Sequence, residues 1–153
     1  MNRPTTDEYF IRMAQLVSTR STCYRRHVGC VLVNTRNHVL ATGYNGVATG
    51  LPHCSESKSY RCIGRNAISG SNLDDCQAIH AEQNALLQCP NVFDIKTAYT
   101  TTAPCRTCVK LLMGTTCTRI VFLEEYPHKE SERLWSTDSS RSWIHFYDLG
   151  EIN

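Results

Sequence analysis

The feature that most limits what this chain can form is a pair of short motifs, each at the start of an apolar run with helical spacing. The first is His-Ala-Glu at residues 80–82, within "IHAEQNALL". The second is Pro-Cys-x-x-Cys at residues 104–108, within "TTAPCRTCV". A histidine and two cysteines have the chemistry to bind zinc. Glu82 is not one of these three candidate ligands, and its role decides whether the site is catalytic or structural.

The two cysteines of the second motif favour a catalytic zinc. Cys105 and Cys108 are three residues apart at a predicted helix start, so both thiols lie on the first turn. The free N–H groups and the positive end of the helix dipole stabilise thiolates there. With His80 as the third ligand, one tetrahedral position stays open, which is typical of a catalytic site. Zn²⁺ is therefore the predicted cofactor.

Glu82 is predicted to carry protons rather than to bind metal. Two residues along an ideal helix rotate the side chain by about 200°, so Glu82 and His80 are poorly placed to bind one ion. A general base and acid beside an activated water is the better role. With Pro104, these residues match the H-x-E…P-C-x-x-C signature of zinc-dependent base deaminases.

Length and charge limit the classes of function. The 153 residues fit one domain, predicted over residues 1–153. The 16 Lys and Arg against 14 Asp and Glu give a net charge of +2, which does not predict a nucleic-acid partner. No stretch approaches the roughly eighteen apolar residues of a membrane span, and no signal segment begins the sequence. We predict a cytoplasmic protein with no membrane partner, where nine cysteines are metal ligands or buried thiols rather than disulfides.

Apolar periodicity predicts an α/β fold in the order αββαβαβαβ. Thr5 and Glu8 form a capping box before the first helix, where apolar residues such as Phe10 and Ala14 recur at helical spacing. Further helices are predicted at 79–87, 105–113 and around 130–135, and strands at 28–33, 38–44, 98–102, 119–123 and 143–147. Alternation of this kind predicts one mixed sheet of five strands flanked by helices.

Three segments carry a resemblance to a known family. "HAEQNAL" at 80–86 and "APCRTC" at 103–108 resemble the cytidine deaminase superfamily. "GYNGVATGLPHC" at 43–54 resembles the segment typical of deoxycytidylate deaminases. The resemblance runs from about Tyr9 to Tyr126. It implies a three-layer αβα fold and hydrolysis of dCMP to dUMP and ammonia, which supplies thymidylate synthesis.

The resemblance also implies roles for single residues. His80, Cys105 and Cys108 would bind the catalytic zinc, and Glu82 would protonate N3 of cytosine and the departing amine while activated water attacks C4. Asn45 would bind the deoxyribose, the backbone at Ala81 the base edge, and Tyr126 would cover the nucleotide. The 5′-phosphate is expected at basic side chains that follow the first helix: Arg20, Arg25 or Arg26.

The same resemblance implies allosteric regulation and assembly. In the resembled family the segment with Gly43, Tyr44 and Gly46 helps to form a nucleotide site near a subunit interface. There dCTP activates and dTTP inhibits, with Mg²⁺ on the triphosphate, and the assembly is a hexamer. The glycines Gly43, Gly46 and Gly50 are also expected to bring backbone close to a ligand and to accept positive φ.

The loop at about 45–76 is rich in Gly, Ser, Asn and Cys, and a loop of this length needs something to hold it. A closed second zinc would do so, and some microbial members of the resembled family carry one. Its predicted ligands are Cys23, Cys54, Cys62 and Cys76, with His53 as an alternative to one thiol. Cys30 and Cys117 are predicted to be buried apolar residues.

Two alternative functions stay open. A deaminase that acts on tRNA or single-stranded nucleic acid would have a basic groove, which this near-neutral composition does not predict. A noncatalytic zinc-held interaction module would have no use for Glu82.

Overall fold

The computed structural model describes residues 2–23, 26–51, 78–126 and 129–149. In this part of the chain the predicted order αββαβαβαβ is confirmed. The elements are α1 Thr6–Ser18, β1 Gly29–Val33, β2 Val39–Tyr44, α2 Ala81–Gln88, β3 Thr97–Thr102, α3 Arg106–Met113, β4 Arg119–Glu124, α4 Glu130–Trp135 and β5 Ser142–His145.

The five strands form one mixed sheet, as predicted, and their order in the sheet is β2-β1-β3-β4-β5. β1 pairs antiparallel with β2 in a hairpin and antiparallel with β3 on its other side. β3, β4 and β5 are parallel neighbours. The parallel pairs have α3 and α4 as their crossover helices, which brings the carboxyl ends of β3 and β4 to one edge of the sheet.

Helix α1 covers one face of the sheet. Its start is capped as the sequence predicts, since the hydroxyl of Thr5 accepts a hydrogen bond from the Glu8 amide at 3.1 Å. Gly29 allows close packing, because a Cβ there would overlap the carbonyl oxygen of Ala14. The apolar contacts on this face come from α1, β1, β3 and β4: Phe10, Ile11, Ala14, Val31, Val33, Tyr99 and Val121.

The opposite face carries α2, α3 and α4, which completes three layers. Its larger apolar cluster includes buried residues of all three helices, among them Ala85, Leu112 and Trp135. Trp135 is fully buried, and its indole N–H donates to the Ser142 carbonyl at 2.9 Å. Cys30 and Cys117 lie in this cluster, buried as predicted. None of the helices in the described ranges is long and apolar enough to cross a membrane.

The last strand ends earlier than predicted. β5 stops at His145, and residues Phe146–Leu149 form a 3-10 turn. The imidazole Nε2 of His145 contacts the Leu123 carbonyl oxygen at 2.7 Å. The contact with Leu123 is thus made by a side chain of β5 and not by its backbone. A second short 3-10 turn, at Val92–Asp94, had no signal in the periodicity.

Candidate active site

The three candidate metal ligands lie at two helix starts. His80 and Cys105 are the N-cap residues of α2 and α3, and both have extended backbone. Each helix therefore begins one residue after its ligand, later than the predicted starts at 79 and 105. Cys108 is inside the first turn of α3.

The ligand atoms of these residues converge. The Nδ1 atom of His80 lies 3.3 Å from the sulfur of Cys105 and 3.3 Å from that of Cys108. The three donor atoms are all within 4.8 Å of one another. Zinc bond lengths of about 2.3 Å to sulfur and 2.0–2.1 Å to nitrogen place tetrahedral N and S ligands about 3.6 Å apart. One imidazole and two thiols at this spacing fit a zinc ion.

Burial and hydrogen bonding set the protonation of the two thiols. Both cysteines are buried. A hydrogen bond with the Cys108 side chain, assisted by one with His80, lowers the pKa of Cys105 to about 4 despite burial. The same hydrogen bond and burial raise the pKa of Cys108. The pair therefore shares a proton, which metal binding would release.

Glu82 lies beside this cluster without joining it. Its side chain is only 4% exposed, although it is acidic. Burial raises the pKa of Glu82, while the charge of His80 opposes that shift. The carboxylate lies outside the set of mutually close donor atoms. A buried carboxylate with a raised pKa is suited to accept and return a proton.

A pocket opens over these residues. Its lining includes His80, Glu82 and Cys105. The predicted substrate residues Asn45, Ala81, Tyr126 and Arg26 also line it. The structure thus brings together, around one pocket, side chains from loops and helix starts that are far apart in the sequence.

Asn45 is buried in the pocket wall, where its amide holds the backbone of another loop. Its Oδ1 atom accepts from the Val28 amide at 2.8 Å, and its Nδ2 donates to the Arg26 carbonyl at 2.8 Å. A carboxamide has two N–H donors, so one remains for a ligand such as a sugar hydroxyl. Asn45 also connects the loop that carries Arg26 to the end of β2.

The two predicted phosphate ligands that the structure describes differ in position. The Arg26 guanidinium lies over the ring of Tyr126, 5.9 Å from its centre, and both residues line the pocket. Arg20 is exposed just after α1 and is not among the lining residues. Arg25 lies outside the described residues. Arg26 is therefore the cation that the described structure places at the pocket.

The glycines of the predicted regulatory segment differ from the expectation in their backbone conformation. Only Gly50 has a positive φ, of 93°, so the expectation of positive φ is wrong for Gly43 and Gly46. A Cβ on Gly43 would overlap the Ala81 carbonyl oxygen and the Ala85 amide nitrogen. The close approach at Gly43 is therefore to α2, whose start carries Glu82. Tyr44 is partly exposed beside it.

The predicted second zinc site lies mostly outside the described part of the chain. Cys54, Cys62, Cys76 and the alternative ligand His53 are all beyond the described residues. Cys23 is described, is buried and lines the pocket. The second zinc stays a prediction.

Four lining residues were not identified from the sequence: Val28, Ala78, Thr102 and Ala103. Their side chains are small and carry no distinctive chemistry. Thr102 and Ala103 directly precede the Pro-Cys motif at the end of β3, and that position was the available signal. Residues at the end of a strand that leads into a helix lie at the edge of a pocket of this kind.

Comparison with known proteins gives the family. The zinc-binding region of cytidine and deoxycytidylate deaminases matches residues 4–124. A deoxycytidylate deaminase of Mycobacterium phage D29 is 38% identical over 128 residues, which cover 82% of this chain and 99% of the phage protein. A deoxycytidylate deaminase of Schizosaccharomyces pombe is 45% identical over 108 residues, 69% of this chain. The matched part spans only 33% of the yeast protein's length.

A solved structure supports the fold independently. The crystal structure of dCMP deaminase from the cyanophage S-TIM5, in complex with dCMP and dUMP, superimposes with a TM-score of 0.69. The match covers 95% of this chain and 98% of the phage chain at 22% identity, so the likeness concerns the fold. The expectation of a cytidine deaminase-like α/β fold is confirmed. With the family match over residues 4–124, it follows that this chain belongs to the family of cytidine and deoxycytidylate deaminases.

Proposed function

We propose that this chain is a zinc-dependent enzyme that hydrolyses dCMP to dUMP and ammonia. The observation that carries the proposal is the buried carboxylate of Glu82, which lines a pocket beside three converged zinc-type donors. The names of the phage and yeast relatives, and the dCMP and dUMP bound by the S-TIM5 protein, support the substrate.

The site residues divide the chemistry between them. His80, Cys105 and Cys108 would hold the zinc ion. When bound, zinc supplies Lewis-acid activation that makes water a nucleophile near neutral pH. Glu82 accepts one proton from the attacking water and delivers it to N3 of cytosine. Glu82 then takes the second proton of that water, from the hydroxyl group now bonded to C4, and passes it to the departing amine as C4 becomes a carbonyl. Its burial excludes bulk water from this transfer and raises its proton affinity.

The pocket walls position the nucleotide. The free N–H of the Asn45 amide binds a deoxyribose oxygen, and the backbone at Ala81 contacts the base edge. Tyr126, which lines the pocket, covers the nucleotide. Arg26, over the Tyr126 ring, binds the 5′-phosphate, because a guanidinium presents several donors to phosphate oxygens.

An absorbance assay against a panel of cytosine compounds tests this function. The panel is dCMP, dCTP, deoxycytidine and an oligonucleotide that contains cytosine. Turnover restricted to dCMP is expected, since Arg26 binds one phosphate and the chain has no strongly basic surface charge. Turnover of the oligonucleotide instead would favour the nucleic-acid deaminase. A zinc-loaded protein inactive on every compound would favour the interaction module.

Regulation forms a further part of the proposal. dCTP, with Mg²⁺, activates and dTTP inhibits through the segment that contains Gly43, Tyr44 and Gly46, in a hexameric cytoplasmic enzyme that supplies thymidylate synthesis. A backbone bridge supports a link to the active site: Gly46 and Ile79 exchange hydrogen bonds of 3.1 and 2.8 Å, and Ile79 precedes the ligand His80. Steady-state dCMP curves with and without each triphosphate test this part separately.

A further inference from the structure

The start of α2 is held by two side chains outside the pocket lining, Gln83 and Asn84. The Oε1 atom of Gln83 accepts a hydrogen bond from the backbone amide of His80 at 3.0 Å. His80 is the N-cap residue, and the first amides of a helix have no partner within the helix. Gln83 therefore supplies the partner for the amide of a candidate metal ligand.

Asn84 ties the same segment to the end of β2. Its Nδ2 donates to the Tyr44 carbonyl oxygen at 2.8 Å and lies 3.5 Å from the Ile79 carbonyl oxygen. The second contact is at the limit of a hydrogen bond. Gly43 makes this approach possible, because β2 lies against the α2 backbone at that residue.

The segment before α2 depends on such contacts for its conformation. His80 has φ −65° and ψ 153°, so its backbone is extended rather than helical. A small rotation at this residue swings the imidazole, whose Nδ1 lies 3.3 Å from each of the two cysteine sulfurs. Metal sites lose affinity when the groups that orient their ligands are removed.

We propose that Gln83 and Asn84 are positioning residues that set the zinc affinity of the site formed by His80, Cys105 and Cys108. They act through the backbone of His80, Ile79 and Tyr44, and neither lines the substrate pocket. The inference rests on the metal site of the proposed function. Helix α2 thus carries both Glu82 and the groups that hold the histidine ligand.

Zinc competition with a chromophoric chelator tests the inference without any substrate. Gln83→Ala and Asn84→Ala are each expected to weaken zinc binding by about 10-fold or more. Cys105→Ser, which removes one ligand, marks the complete loss of this site. Gln88→Ala, at the exposed end of the same helix, is the matched control and is expected to bind like the wild type.

Two conservative variants separate positioning from general stability. Gln83→Glu keeps an acceptor for the His80 amide and is expected to restore affinity, whereas Asn84→Asp keeps the size but loses the donor and stays weak. Visible spectra of the Co²⁺-loaded proteins report the ligand geometry and should change in the weakened variants.

Unchanged affinity and spectra in both alanine variants would overturn the inference. A loss of zinc affinity that is also seen in Gln83→Glu, and that parallels the fall in melting temperature, would overturn the inference as well. A wild-type protein that binds no zinc would instead remove the metal site itself.

Discussion

The guanidinium of Arg26 lies over the face of Tyr126, 5.9 Å from the ring centre, and the two side chains line one pocket. Cation–π attraction of about 0.5–1 kcal/mol at such a site holds the arginine in place. The backbone of Arg26 is fixed as well, because its carbonyl accepts from Asn45. A cation with a fixed backbone and a stacked side chain can select for a phosphate on the ligand.

Arg26→Ala is predicted to lower kcat/KM for dCMP with little change for deoxycytidine. A charge-assisted hydrogen bond is worth about 1.5–3 kcal/mol, which corresponds to roughly 10- to 150-fold. The measurement is steady-state kinetics on both substrates. Arg20→Ala is the comparison, since Arg20 is exposed outside the pocket lining. Equal losses on dCMP and deoxycytidine would argue against a phosphate contact.

Glu82→Gln is predicted to keep the fold and the zinc while losing deamination. The amide has nearly the same volume but cannot carry the proton, and general acid–base roles supply about 10²- to 10⁴-fold. The loss should reach or pass the top of that range, because one residue serves several transfers. Turnover, zinc content and melting temperature are measured together, with Glu132→Gln on the exposed side of α4 as the control. An active Glu82→Gln enzyme would rule out the proposed mechanism.

The metal-type donors could be predicted from the sequence because their identity and spacing are local. Cys105 and Cys108 share one helix turn, and His80 and Glu82 share another. The helix starts were also close to the observed ones, although His80 and Cys105 proved to be caps. Short-range patterns of this kind can be recognised without knowledge of the fold, because each depends only on a few neighbouring residues.

The pocket walls could not be derived in the same way. The side-chain amide of Asn45 forms hydrogen bonds with the backbone of Arg26 and Val28. These contacts require the β1–β2 hairpin, which brings Asn45 back to the residues that precede β1. Gly43 indicated a close approach, but the sequence does not say that the approaching group is α2. Both features depend on pairs of residues that are distant along the chain.

Metal analysis is predicted to find about two zinc ions per chain. One belongs to the site of His80, Cys105 and Cys108, and the other to the predicted site with Cys76. Cys76→Ser should lower the count by one and destabilise the protein, because closed structural sites contribute directly to folding. Cys89→Ser, at a cysteine outside both predicted sites, is the control. One zinc per chain, in protein expressed with added metal, would remove the second site.

Asp7→Asn is predicted to destabilise the protein in a pH-dependent way. Asp7 accepts two hydrogen bonds from Arg119, at 2.7 and 2.8 Å, and one from the Tyr99 hydroxyl at 2.6 Å. The bonds from Arg119, followed by the one from Tyr99, lower the pKa of Asp7 against the effect of burial. Loss of this charged network should cost about 1–3 kcal/mol at pH 7.

The pH dependence of that loss follows from the lowered pKa. A carboxyl group with a depressed folded-state pKa stabilises the protein fully above its unfolded pKa, about 3.9 for Asp. The contribution disappears as the pH falls through the folded value. The difference between wild type and Asp7→Asn should therefore be constant from pH 7 to about 5 and shrink below about 4. Urea unfolding across this range measures it, with the exposed Asp94→Asn as the control. A difference that grows in acid would contradict the assignment.

Gly43→Ala is predicted to damage both stability and activity, whereas Gly46→Ala should be tolerated. A Cβ on Gly43 would overlap the backbone of Ala81 and Ala85, so α2 must move and carry Glu82 with it. Overpacking of this kind costs typically about 1–3 kcal/mol. The nearest atom to a Cβ on Gly46 is in the Tyr44 ring at 3.4 Å, and Gly46 has no positive φ.

Melting temperature and kcat are compared for the two variants. Both glycines belong to the "GYNG" run, so the comparison separates close packing against α2 from a contact with a regulatory nucleotide. The prediction is contradicted if Gly43→Ala keeps wild-type stability and kcat but loses the response to dCTP. In that case the segment acts as a ligand site rather than as a support for α2.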